Sequence, residues 1–222
     1  VDSTPEELGT AVVFEAASTS FMGTAYDSSA EKVVIAYRDQ GNSDYGTAIV
    51  GTVSGTGISF GSPVVFNTGN TVVYENGVTF DSNSNKIVVC YPDFGNSGYG
   101  TAIVGTVSGT SISFGTEAVF ESAGVGKPSV VFDSNNNKVV VVYDDGGNSD
   151  YGTAVVGTVS GTSISFGTPV VFASAAVDTP TAAYDASSQK TVVAYRDRDA
   201  SDHGKSLVGT VSGTSISFGS AV

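Results

Sequence analysis

One stretch recurs four times along the chain and limits what it can fold into. Gly105-Thr106-Val107-Ser108-Gly109-Thr110-Ser111-Ile112-Ser113-Phe114-Gly115 returns letter for letter at 157–167 and at 209–219. An earlier copy at 51–61 differs only in Gly57, where the others carry serine. Successive copies are 54, 52 and 52 residues apart. A unit of about fifty residues rarely buries a core alone, so the sequence predicts one array of stacked units.

The repeat divides the chain into a polar leader or linker (1–8), units at 9–60, 61–114, 115–166 and 167–218, and the start of a fifth copy at 219–222. Residues 10–14 match the tail of a fourth strand whose first half is missing. Unit two carries a two-residue insertion around 71–76, between strand-like runs, where loops tolerate changes of length.

Each unit contains four strand-like runs separated by Asx- and Gly-rich breaks. Unit three shows them at 128–132, 138–143, 151–159 and 163–166, the last continuing through Gly167 and Thr168 into 169–172. The second run, Lys-Val-Val-Val-Val-Tyr, is continuously apolar, as a strand buried on both faces must be. The fourth alternates Ser163, Ile164, Ser165, Phe166, which suits a half-exposed strand. Burial falling from the early strands to the last predicts a four-stranded blade, and the period predicts an all-β propeller with four blades visible. A fragment of a larger propeller or array is the alternative. A flat sandwich does not readily give an even period of four strands, and a β-solenoid has shorter coils.

The formal charge of −13 argues against nucleic acid and anionic lipid, whose recognition depends on Lys and Arg. No run of eighteen apolar residues is present, so no membrane insertion is expected. The single cysteine, Cys90, lies in the apolar run 86–91 and reads as a buried strand thiol, with no internal disulfide.

Candidate chemistry gathers in the loops after each second run, at 38–45, 92–99, 144–151 and 196–203. Each has an acid at its second position: Asp39, Asp93, Asp145 and Asp197. Asn42, Asn96 and Asn148 recur in three of them, Asp44, Asp150 and Asp202 add a second acid, Tyr45, Tyr99 and Tyr151 close three, and His203 closes the fourth, which Arg196 opens. As pockets, these loops would offer carboxylates and amides to sugar hydroxyls and tyrosine faces for stacking. As turns, the same acids and amides would bond their own backbone, with the tyrosines packed beneath. Asp39, Asn42 and Asp44, with Asp145, Asn148 and Asp150, also supply the hard oxygens that Ca2+ takes, although their spacing is not that of an EF-hand.

Catalysis needs one asymmetric constellation, whereas near-identical units make several equal sites. One histidine cannot build a triad without converging partners, and one His with one Cys cannot build a zinc site. The expectation is therefore a non-enzymatic module.

Residues 128–133 followed by 138–145 resemble the first two strands of blades in the sialidase-like (BNR) propeller families. The loop 37–45 is similar to their Asp-box, but Tyr37 replaces the leading serine and the aromatic comes one residue late. It also follows the second strand, where those families place the box after the third. The Val-Gly-Thr-Val-Ser-Gly-Thr-Ser-Ile-Ser-Phe-Gly-Thr-Pro-Val-Val-Phe pattern resembles repeat arrays of virion and tail-fibre proteins from marine phages. That resemblance implies an extracellular or virion-surface protein and partners among surface glycans, virion proteins or further copies of the chain. The alternatives are a purely structural fibre component and a degenerate sialidase-like glycosidase. The last would need converged arginines, and the chain has only Arg38, Arg196 and Arg198.

Overall fold

Turn chemistry sets the strand boundaries. In the computed structural model, which describes residues 9–222, the first unit holds β1 (Thr19–Asp27), β2 (Lys32–Asp39), β3 (Tyr45–Ser54) and β4 (Gly57–Phe60), each antiparallel to the next. Asp27 ends β1 by accepting hydrogen bonds from the Ser29 and Ala30 amides, at 2.9 and 3.0 Å. Asp81, Asp133 and Asp185 do the same in later units, an Asx turn repeated by sequence. The hairpin from β3 to β4 turns on Gly55 at φ +58°, and Gly109, Gly161 and Gly213 occupy the same left-handed region.

The second unit comprises β6 (Val78–Asp81), β7 (Lys86–Asp93), β8 (Tyr99–Ser108) and β9 (Ser111–Phe114), preceded by a connecting strand, β5 (Val64–Asn70). The third has β10 (Ala118–Asp133), β11 (Lys138–Asp145), β12 (Tyr151–Ser160) and β13 (Ser163–Phe166). The fourth has β14 (Val170–Asp185), β15 (Lys190–Asp197), β16 (His203–Ser212) and β17 (Ser215–Phe218).

The connections differ from the sequence expectation of four separate runs. β10 and β14 are 16-residue strands that serve two units each. The first half of β14 pairs with β12 of the preceding unit, from Val170↔Ala154, and its second half pairs with β15, through Asp185↔Lys190. These shared strands join units two to four into one 12-stranded sheet. The insertion in unit two falls where the long strand would run, splitting it into β5 and β6 and leaving a separate 5-stranded sheet. Neither sheet closes on itself, so the expected propeller ring is not shown, and no strand ladder joins β1 to unit four among the described residues. Among the described residues, no helix is long and apolar enough to cross a membrane.

The core lies between units. Val34, Ala36, Ala48 and Val50 of unit one pack against Val78, Ile87, Val89 and Ile103 of unit two. The same two faces meet at the next two junctions. The continuously apolar second runs are explained by this stacking, since alternate side chains bury against opposite neighbours. Each valine so buried contributes about 1.5–3 kcal/mol. An aromatic key locks each junction. Phe66, on the connecting strand, sits 5.3 Å from both Tyr91 and Phe114 of the unit it enters. Phe14, Phe120 and Phe172 make the equivalent triads.

Candidate functional site

The loops after the second strands are held by their own acids. Asp39, Asp93 and Asp145 each cap a short 3-10 turn, accepting from the amides of Asn42 (3.1 Å), Gly95 (2.9 Å) and Gly147 (3.0 Å). All three are buried. Asp197, also buried, accepts from the amides of Asp199 and Ala200 and from Lys205 Nζ at 2.7 Å. The Lys205 ammonium holds the Asp197 carboxyl below the ordinary aspartate range. Of the two accounts of these acids, the turn describes their geometry. Each loop then closes on two consecutive left-handed residues, Ser43–Asp44, Ser97–Gly98, Ser149–Asp150 and Ser201–Asp202. Glycine adopts that region without Cβ strain, which accounts for Gly98 where the other units carry Asp.

The second acids are paired with arginines. Arg38 bridges Asp44 at 2.7 Å and holds its carboxyl below the ordinary range. Arg198 reaches back to Asp150 of the preceding unit at 2.8 Å, and Arg196 lies between Asp178 and Asp202. Asp178 also meets Lys127 at 2.7 Å, and these two cations lower its carboxyl, Lys127 first. Among the described residues, no group of three or more His, Cys, Asp or Glu side chains is arranged to hold a metal ion.

Asn42, Asn96 and Asn148 are exposed, as is His203. Tyr45, Tyr99 and Tyr151 are half-buried at the starts of β3, β8 and β12. In the unit-two loop, Phe94 follows Asp93 and has 52% of its surface accessible.

The loop of unit two borders an open cleft of about 640 Å3. It is lined by Asp93, Gly95 and Asn96 of the loop, by Asn67, Thr68 and Gly69 of β5, and by Phe66, Ile103 and Glu117 among others. Glu117 accepts from the Tyr91 hydroxyl at 2.8 Å and from Asn67 Nδ2 at 2.7 Å, which fixes the polar floor. Sequence reasoning missed Phe94, Asn67 and Glu117. Their signal is departure from the repeat: Phe94 stands where other units have Gln40 and Gly146, and Glu117 where they have Pro63 and Pro169. Of the predicted residues, the cleft brings together Asp93 and Asn96 alone; the others stay on their own loops.

A second polar cluster lies where the segment before β6 approaches β10 and β14. Tyr74, Lys127, Pro128, Thr179 and Pro180 surround a cavity of about 80 Å3. The Asp144 carboxyl is pushed above the ordinary range, chiefly by burial, and its Oδ1 meets no donor among the described residues. No protein-family model matches the chain, and no curated protein matches it in sequence.

Proposed function

We propose that the chain is a propeller-type repeat module that binds a polyhydroxylated ligand of the glycan class without transforming it, at an extracellular or virion surface. The unit-two cleft carries this reading. It is open and polar, lined by Asn67, Thr68, Asn96 and Glu117. Phe94 adds an exposed apolar face on the same loop. Such a mixture suits a sugar ring, which presents hydroxyls at its edge and C–H groups on its faces. The blade reading is supported by four-stranded antiparallel units and by the segment before β6 meeting the first strands of units three and four around one small cavity. Calcium remains outside this proposal, since the loop carboxylates already serve backbone amides and arginines.

A glycan array of the purified chain, with calcium and then with chelator, tests the reading. Phe94→Ala and Asn96→Ala alter exposed side chains, so the fold should persist while affinity for the recognised sugar falls about tenfold or more. Absence of binding at multivalent presentation in either buffer overturns it. The glycosidase alternative receives no support from the arginines, because Arg38, Arg196 and Arg198 are each engaged in ion pairs.

A further inference from the structure

We infer that the unit-two cleft selects a ligand bearing a protonated amine, so that its sugar is an amino sugar with the nitrogen free rather than an acidic or N-acylated one. The inference rests on the sugar reading and adds to it the charge of the ligand. It starts from the charges of the cleft. Asp93 and Glu117 line it, and no Lys, Arg or His does. The adjoining loop adds no cation. Where unit one pairs Arg38 with Asp44, unit two has Pro92 and Gly98, so both halves of that ion pair are gone and Asp93 is the one charged side chain of 92–99.

Both carboxylates have an oxygen to spare among the described residues. Asp93 is 6% exposed and caps the Gly95 amide through Oδ1 at 2.9 Å, and no donor meets its Oδ2. Glu117 is exposed, and its two partners, the Tyr91 hydroxyl and Asn67 Nδ2, both donate to Oε1, which leaves Oε2 without a donor. This use of Glu117 is particular to unit two. In units one and three the equivalent tyrosines, Tyr37 and Tyr143, donate to a glutamate that follows the junction phenylalanine, Glu15 or Glu121. In unit two Asn67 stands at that place, and the carboxylate comes instead from position 117, where the segments leaving units one and three carry Pro63 and Pro169.

The repeat shows what such a carboxylate takes. Asp197, the counterpart of Asp93 in unit four, accepts the Lys205 ammonium on Oδ2 at 2.7 Å. Lys205 stands where unit two has Thr101, whose hydroxyl donates to the Tyr99 carbonyl at 3.2 Å and so leaves Asp93 alone. Thr47 and Thr153 do the same in units one and three, so the added carboxylate of Glu117 is what sets unit two apart. Thr101 and Ile103 are two residues apart on β8 and share a face, and Ile103 lines the cleft. The face on which unit four holds an ammonium is therefore, in unit two, the face on which the cleft opens. An ammonium arriving with the ligand finds acceptors in Asp93 and Glu117. It offsets the cost of covering those charges, which a neutral sugar does not do and an acidic sugar makes worse.

Calorimetric titration of the full chain with three oligosaccharides of equal length tests the inference: a glucosamine oligomer, its N-acetylated counterpart and a uronic acid oligomer. The glucosamine oligomer should bind about tenfold or more tighter than the N-acetylated one, and the uronate weakest of the three. Raising the pH until the amine is neutral should erase the difference. Glu117→Gln keeps an acceptor for Tyr91 and Asn67 at an exposed position, so melts should report an intact fold while the preference for the amine shrinks and affinity for the N-acetylated oligomer holds. Equal affinity for the amine and N-acetyl forms, with both weakened by Asn96→Ala, overturns the inference and leaves the sugar reading standing. An amine preference that Glu117→Gln does not reduce also overturns it. No binding of the three beside a positive glycan array overturns the inference alone, and no binding in either overturns both.

Discussion

At the scale of the residue, the most informative side chain is one that does not fit its surroundings. Asp144 occupies the position held by Arg38, Pro92 and Arg196 in the other units. It is partly buried near Asp150 and Asp178, with Lys127 opposing them, and its carboxyl titrates above the ordinary range, chiefly through burial. A raised folded-state value means that the ionised group weakens the fold, and that the native state takes up its proton first as pH falls. Asp144→Asn should therefore stabilise the chain by about 1 kcal/mol at pH 7, where a carboxylate with an unpartnered oxygen becomes a neutral amide. The gain should vanish below about pH 3.5, where both folded and unfolded wild type carry the proton. Paired melts at the two pH values check this, and an equal gain at both would remove charge as its cause. Asp44, Asp178 and Asp197 have the opposite sign: their lowered values give stability present above the unfolded aspartate range and lost as pH falls through the folded ones. Cys90 makes a simpler case. It is fully buried and its thiol is pushed far up by burial, so a thiol reagent should modify it only after denaturation.

At the scale of the element, the repeat supplies its own control. Gly115 and Gly219 end identical eleven-residue stretches, yet their surroundings differ. A Cβ on Gly115 would overlap the Thr162 carbonyl of the next unit, as one on Gly61 would overlap Thr110 and one on Gly167 would overlap Thr214. A Cβ on Gly219 meets only the Val208 carbonyl oxygen, at 3.9 Å. Gly115→Ala should cost about 1–3 kcal/mol and Gly219→Ala close to nothing, measured by chemical denaturation. The contrast shows where the sequence was legible. Strand order within a unit could be read from apolar runs and turn residues, because Asx turns and left-handed glycines act locally. The doubling of β10 and β14 could not, because residues such as Gly126 and Lys127 look like a break and are bridged by a bulge, with Lys127 at φ +39°. The loop acids were found, but their employment as caps was one of two open accounts, and only the geometry of the turns decides it. Phe94 and Glu117 were overlooked because the search followed what recurs, while the cleft of unit two is made by what does not.

At the scale of the whole molecule, the chain is an arc of stacked units, each resting chiefly on its sequence neighbours. Stability in such an array is a sum of unit and junction terms, so it need not be uniform along the chain. Units two and three have a partner on both faces; unit four has one on only one face. The same strand shows the difference directly. Residues 152–157 of β12 are all buried, whereas in the matching stretch of β16, at 204–209, only Leu207 and Gly209 are buried and Val208 is open to solvent. Unit four should therefore open first. At a concentration low enough to keep the chain monomeric, amides of β16 and β17 should exchange faster than those of β12 and β13, although β13 and β17 have the same sequence. Equal protection would mean that the units unfold as one and that the open face carries no penalty.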